Sequence, residues 1–174
     1  MFAARLLSCL ALVLVGLGVS VKAQAADEAA IRAFLRKEGL GGLRLDQPAK
    51  EVIQLLGKPE KQGKLALQEA DGNYVQTWSY PAKGLQLVMS AGGKKDGAKT
   101  LAMITARAPC DLATQRGIKI GSPASAPRKA YAAFADPDSP PTPDAFVVVS
   151  VYGGIIFNFE HGKVSRIFFG AAAE

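Results

Sequence analysis

At 174 residues the chain is long enough for one domain of ordinary size or two small ones sharing an interface, and its formal net charge of +6 is mildly basic. The basic residues are scattered, pairing only at Arg36-Lys37, Lys94-Lys95 and Arg128-Lys129 without interleaved aromatics, which argues against a nucleic-acid surface. One histidine and two cysteines leave imidazole catalysis, a zinc cluster and a disulfide framework without the residues they need.

The N-terminus reads as a secretory signal over residues 1–25. Arg5 supplies the positive start, Leu6 to Val21 form an almost uncharged apolar run, and the small-residue site Ala23-Gln24-Ala25 places cleavage before Ala26. Leu6-Leu7-Ser8-Cys9 resembles a lipid-attachment site, but the apolar run follows that cysteine instead of preceding it. A periplasmic or secreted protein is expected, without a transmembrane segment in the mature chain. Cys110 is then the remaining thiol and is expected to lie inert in the core.

Residues 26–40 are expected to hold a short helix, with Ile31, Phe34 and Leu35 on its apolar face and Gly39 at its end. From there the chain reads as two units, residues 41–109 and 110–174. Gly42-Leu43-Arg44-Leu45-Asp46-Gln47-Pro48-Ala49 matches Gly117-Ile118-Lys119-Ile120-Gly121-Ser122-Pro123-Ala124 in its order of apolar, basic, turn and proline positions. A helix should follow each match. The first is capped by Asp46 or Gln47, carries the stripe Val52, Leu55 and Leu56, and stops at Gly57 and Pro59; the second is capped by Ser122 or Ser125 and carries Ala126, Ala130, Tyr131 and Phe134.

Strands should come next in each unit. Residues 74–80, 84–90 and 100–106 serve the first, with a short extra strand around Leu65 and Leu67. Residues 145–152, 154–160 and 163–169 serve the second. Turns as short as Glu160-His161-Gly162 make neighbouring strands antiparallel. The fold class expected is α+β, two tandem helix-plus-antiparallel-sheet repeats behind a short N-terminal helix.

The stretch from Leu45 through Gly57-Lys58-Pro59 to Trp78-Ser79-Tyr80 and the hairpin over 84–106 resembles the repeat of the secreted β-lactamase inhibitory proteins. It is also similar to the small outer-membrane lipoprotein of the barrel-assembly machinery. The segment Cys110 to Gly121 looks like a linker of exported bacterial proteins with the same tandem build. The second unit has Phe134-Ala135-Asp136-Pro137 in place of the Leu-Gly-x-Pro stop and lacks the tryptophan. The resemblance implies a protein-binding role, with inhibition of a secreted or periplasmic hydrolase as its sharpest form and cell-envelope assembly as the alternative.

The chemistry-bearing residues fit bland roles. His161 sits in a tight turn, Ser122, Ser125 and Ser150 belong to caps and strands, and no Gly-x-Ser-x-Gly elbow is present. Gly92-Gly93-Lys94-Lys95 joins strand to strand and opens no helix, so it cradles no phosphate. Asp136, Asp138 and Asp144 lie in a proline-rich stretch that lacks calcium-loop spacing and reads as a solvated loop. Trp78 and Tyr80 share a strand face and should pack beneath the helix. No catalytic residue, metal site or cofactor is assigned; an enzyme of unknown type stands as a further alternative to the binding reading.

The strands of the second unit hold more apolar residues than a sheet covered on one side needs. With Ser150, Asn158 and Arg166 marking the outer face, strict alternation puts Phe146, Val148, Tyr152, Ile156, Val164 and Phe168 there too. Tyr152, Ile156, Val164, Arg166 and Phe168 are therefore the candidate partner surface. Its occupant would be a secreted or envelope protein, a second copy of the chain, or the first unit.

Overall fold

The computed structural model describes residues 33–171. The expected leader, its cleavage site, Cys9 and the first part of the N-terminal helix with Ile31 lie outside the described residues. Within them the chain is mixed helix and sheet, with few helices set against one large antiparallel sheet. Helix α1 covers residues 33–37, α2 spans Ala49–Leu56 and α3 spans Ser125–Ala130, with a 3-10 turn at Ala132–Phe134. No described helix is long and apolar enough to cross a membrane.

Eight strands form the sheet: β1 (Lys61–Gln62), β2 (Ala66–Gln68), β3 (Asn73–Tyr80), β4 (Leu85–Ser90), β5 (Thr100–Arg107), β6 (Ala145–Val148), β7 (Gly154–Glu160) and β8 (Lys163–Gly170). Their spatial order is β1-β3-β4-β5-β8-β7-β6, with β2 beside β1 along the same edge of β3. Every pairing is antiparallel, and the β5–β8 pairing joins the strands of residues 41–109 to those of 110–174 in a single sheet.

One face of this sheet carries the main core. Trp78, Tyr80, Leu87 and Met89 from β3 and β4, Leu101, Ile104 and Ala106 from β5, and Ile155, Phe157, Ile167 and Phe169 from β7 and β8 all belong to it. Val52 of α2 and Tyr131 beyond α3 close it from the helix side with no exposed surface. Tyr80 is placed as its alternation predicts, and its hydroxyl donates to the Gly57 carbonyl that ends α2 (3.1 Å), tying strand to helix terminus. Cys110 is free and buried, as expected of an inert thiol.

Several local expectations are corrected. Leu55 is about half exposed, and the buried face of α2 is instead Ala49, Val52, Ile53 and Leu56, because the helix starts at Ala49 and is rotated relative to the expected stripe. Neither helix has a side-chain cap: Gln47 Oε1 accepts from Arg44 N (3.2 Å) and Ser122 Oγ from Lys119 N (3.1 Å), so both side chains serve the turn before the helix. Asp136 is buried, not solvated; its Oδ1 accepts from Asp138 N (3.0 Å) and its own N–H donates to Val147 O (3.1 Å).

The strand expected over 145–152 ends at Val148. Val149 has φ +75°, and its N–H turns away to donate to Phe134 O (2.8 Å). A β-branched residue in the left-handed region is costly and ends regular alternation. The expected facing of β6 is thereby displaced by one residue: Phe146 and Val148 point into the core and Val147 away from it.

Candidate interaction surface

The sheet face away from the helices is mixed over its first half and apolar over its second. Thr77, Ser79, Gln86 and Ser90 line the β3–β4 side together with Val75 and Val88, whereas Val147, Ile156 and Phe168 form a second apolar cluster with Met103 and Val151 packed against it. This cluster is separate from the main core. Its three central side chains each keep less than a tenth of their surface exposed, so they form a packed platform.

Of the five residues expected on this face, three reach it, and a fourth, Tyr152, lies exposed in the turn that also carries Val151. Ile156 and Phe168 are in the platform, Arg166 stands over the Phe168 ring at 5.0 Å, and Tyr152 projects from the turn after β6 with 73% of its surface exposed. Val164 does not reach it. It lies in the main core at 1% exposure.

The cause is a register shift: Asn158 pairs with Arg166 while Phe159 pairs with Val164, leaving Ser165 as the extra residue of a bulge. A bulge adds one residue and reverses alternation, so Val164 and Arg166 face opposite sides although two positions apart. The β4–β5 pairing shifts in the same way, Val88 meeting Met103 and Met89 meeting Leu101 around Ala102. That second bulge turns Met103 toward the platform and Leu101 into the core.

Arginines dominate the polar part of the platform's rim. Arg107 and Arg166 are direct cross-strand partners, which places their Cβ atoms about 5 Å apart on one face. Arg166 Nη1 donates to Asn158 Oδ1 (3.2 Å), while its Nε–H is buried with no acceptor. Burial and the neighbouring Arg107 hold the Arg166 guanidinium below its ordinary pKa, though an arginine remains charged throughout the physiological range. A polar groove of about 330 Å³ runs beside them, lined by both arginines with Asp144, Asn158, Glu160 and Ser165. Neither carboxylate forms an ion pair with either arginine.

A polar cluster on the helix side was not foreseen. Glu38, 4% exposed, accepts from Gln115 N (2.9 Å) and Gly39 N (3.3 Å) and lies 3.8 Å from Arg116 Nε. The Arg116 guanidinium sits 5.0–5.5 Å from the rings of Phe34, Tyr131 and Phe134. The Tyr131 hydroxyl donates to Thr114 Oγ1 (2.8 Å), and burial pushes its pKa well above the ordinary phenol value. Arg116 fills this aromatic cage itself, and the arrangement clamps α1 to the segment before α3. Its members are too far apart in sequence for spacing to have revealed them.

His161 stands exposed in the β7–β8 turn with φ +51°. Among the described residues, no three of His, Cys, Asp or Glu are grouped to hold a metal ion. No family model matches the chain, and no curated protein and no solved structure is significantly similar to it.

Proposed function

We propose that the chain is an exported, non-catalytic protein-binding module that works in the periplasm or outside the cell, engaging its partner through the rim of the second apolar platform. The observation that carries this reading is the platform. An antiparallel sheet covered by helices on one face needs no apolar cluster on the other, yet Val147, Ile156, Phe168, Met103 and Val151 make one, with the arginine pair beside Phe168 and Tyr152 exposed in the turn next to Val151. Exposed tyrosine and arginine on a rigid apolar support are the usual anchors of a protein interface. Inhibition of a secreted or periplasmic hydrolase is the specific form suggested by the short motifs shared with the β-lactamase inhibitory proteins.

We further infer that residues 41–109 and 110–174 are tandem repeats. Two sets of hydrogen bonds support this. Asp46 N donates to Leu101 O and Leu101 N to Gln47 O; Gly121 N donates to Val164 O and Val164 N to Ser122 O. Ala49 N reaches Lys99 O as Ala124 N reaches Gly162 O. The bulged residues, Ala102 and Ser165, directly follow Leu101 and Val164.

Two measurements test the proposal. N-terminal sequencing of the exported protein should read from Ala26, and an intact leader on the exported form would remove the compartment. Mature protein immobilised and exposed to its own periplasmic extract should retain a discrete partner, which the double variant Tyr152→Ala, Arg107→Ala loses at an unchanged melting temperature. Equal retention by parent and variant would sink the assigned face.

A further inference from the structure

We infer that Arg107 and Arg166 form an anion-binding site that takes a single carboxylate, the side chain of an aspartate or glutamate on the protein partner. The inference rests on the binding reading above and adds the chemistry its partner must supply.

The geometry gives three reasons. Register sets the two arginines directly opposite each other on one face of adjacent strands, where like charges repel instead of stabilising the sheet. Among the described residues no carboxylate lies within ion-pair distance of either arginine, although Asp144 and Glu160 line the same groove. Arg166 is also held in place: Asn158 Oδ1 binds one Nη, the Phe168 ring lies beneath the guanidinium, and its Nε–H is buried without an acceptor.

A fixed, partly desolvated arginine beside a second one, each lacking a counter-ion, is a cost to folding that an incoming anion relieves. Oxygen acceptors suit the planar guanidinium edge. Asp144 and Glu160 decide which anion: their negative charge on the groove wall repels a doubly charged phosphate more than a singly charged carboxylate.

The test uses the mature protein with acetate as the carboxylate probe and inorganic phosphate as its rival, at constant ionic strength. The Arg166 Nε–H, shielded from solvent, serves as a nitrogen-15 NMR reporter. Acetate should shift it saturably, and Arg107→Gln should weaken that binding about tenfold, the loss of one charge-assisted contact. The same variant, freed of like-charge repulsion, should melt no lower than the parent in anion-free buffer and lose the rise in melting temperature that acetate gives the parent. A linear response that is the same in parent and variant overturns the site, and phosphate binding more tightly than acetate overturns the carboxylate assignment. A retained partner with no acetate response refutes the arginine site alone. A saturable acetate response with no retained partner refutes the binding reading alone.

Discussion

Replacing Glu38 by alanine probes the least expected part of the structure. The carboxylate accepts from the Gln115 and Gly39 backbone N–H groups at 2.9 and 3.3 Å, and hydrogen bonds to a charged acceptor contribute about 1.5–3 kcal/mol each. The Gly39 bond is long, and the Gln115 N–H can regain water in the variant, which brings the pair toward the lower end of that range. The Arg116 ion pair, at 3.8 Å with the arginine side chain 38% exposed, adds no more than about 1 kcal/mol after screening. Glu38→Ala should therefore lose about 2–3 kcal/mol, while Glu38→Gln keeps an acceptor and should lose about 1 kcal/mol. Urea unfolding of the mature protein reads both values from the midpoint at constant slope. In a thermal melt the alanine variant should drop by about 5–10 °C. A Glu38→Ala change within about 0.5 kcal/mol of the parent would show that the carboxylate does not clamp α1 to the Gln115 segment.

Val164→Ala should cost about 1–3 kcal/mol in urea unfolding because the side chain lies in the main core, whereas Tyr152→Ala should stay within about 0.5 kcal/mol; equal effects would place both on the same face. Cys110 is buried with its thiol pKa pushed up, so the folded mature protein should react with a thiol-specific disulfide reagent far more slowly than the urea-unfolded chain; equal rates would put the thiol at the surface. Burial raises the phenols of Tyr80 and Tyr131, so the folded state keeps protons that the unfolded chain releases above about pH 10. The stability from this source is complete below that pH and is lost as pH rises through the folded values. Urea midpoints measured from pH 8 to pH 11 should therefore fall at the alkaline end, and less so in Tyr131→Phe.

The amino-acid sequence by itself determined what depends on local pattern. Alternation in Tyr74 to Tyr80 and in Leu85 to Met89 placed Trp78 and Tyr80 toward the core, because a strand repeats every two residues wherever nothing interrupts it. Short turns made those strands antiparallel, and Cys110 read correctly as buried because cysteine is among the most buried residue types. Where a single residue breaks the period, pattern alone failed. The extra Ser165 sends Val164 and Arg166 to opposite faces, and the positive φ of Val149 ends β6 early and displaces the facing of Phe146 to Val148; neither residue carries a local signal of its conformation. Contacts between residues far apart in the chain were decided by tertiary structure alone. The β5–β8 pairing makes Arg107 and Arg166 neighbours, and the fold brings Glu38 to Gln115, because proximity across a sheet or between a helix and a distant loop arises from packing and has no counterpart in sequence spacing.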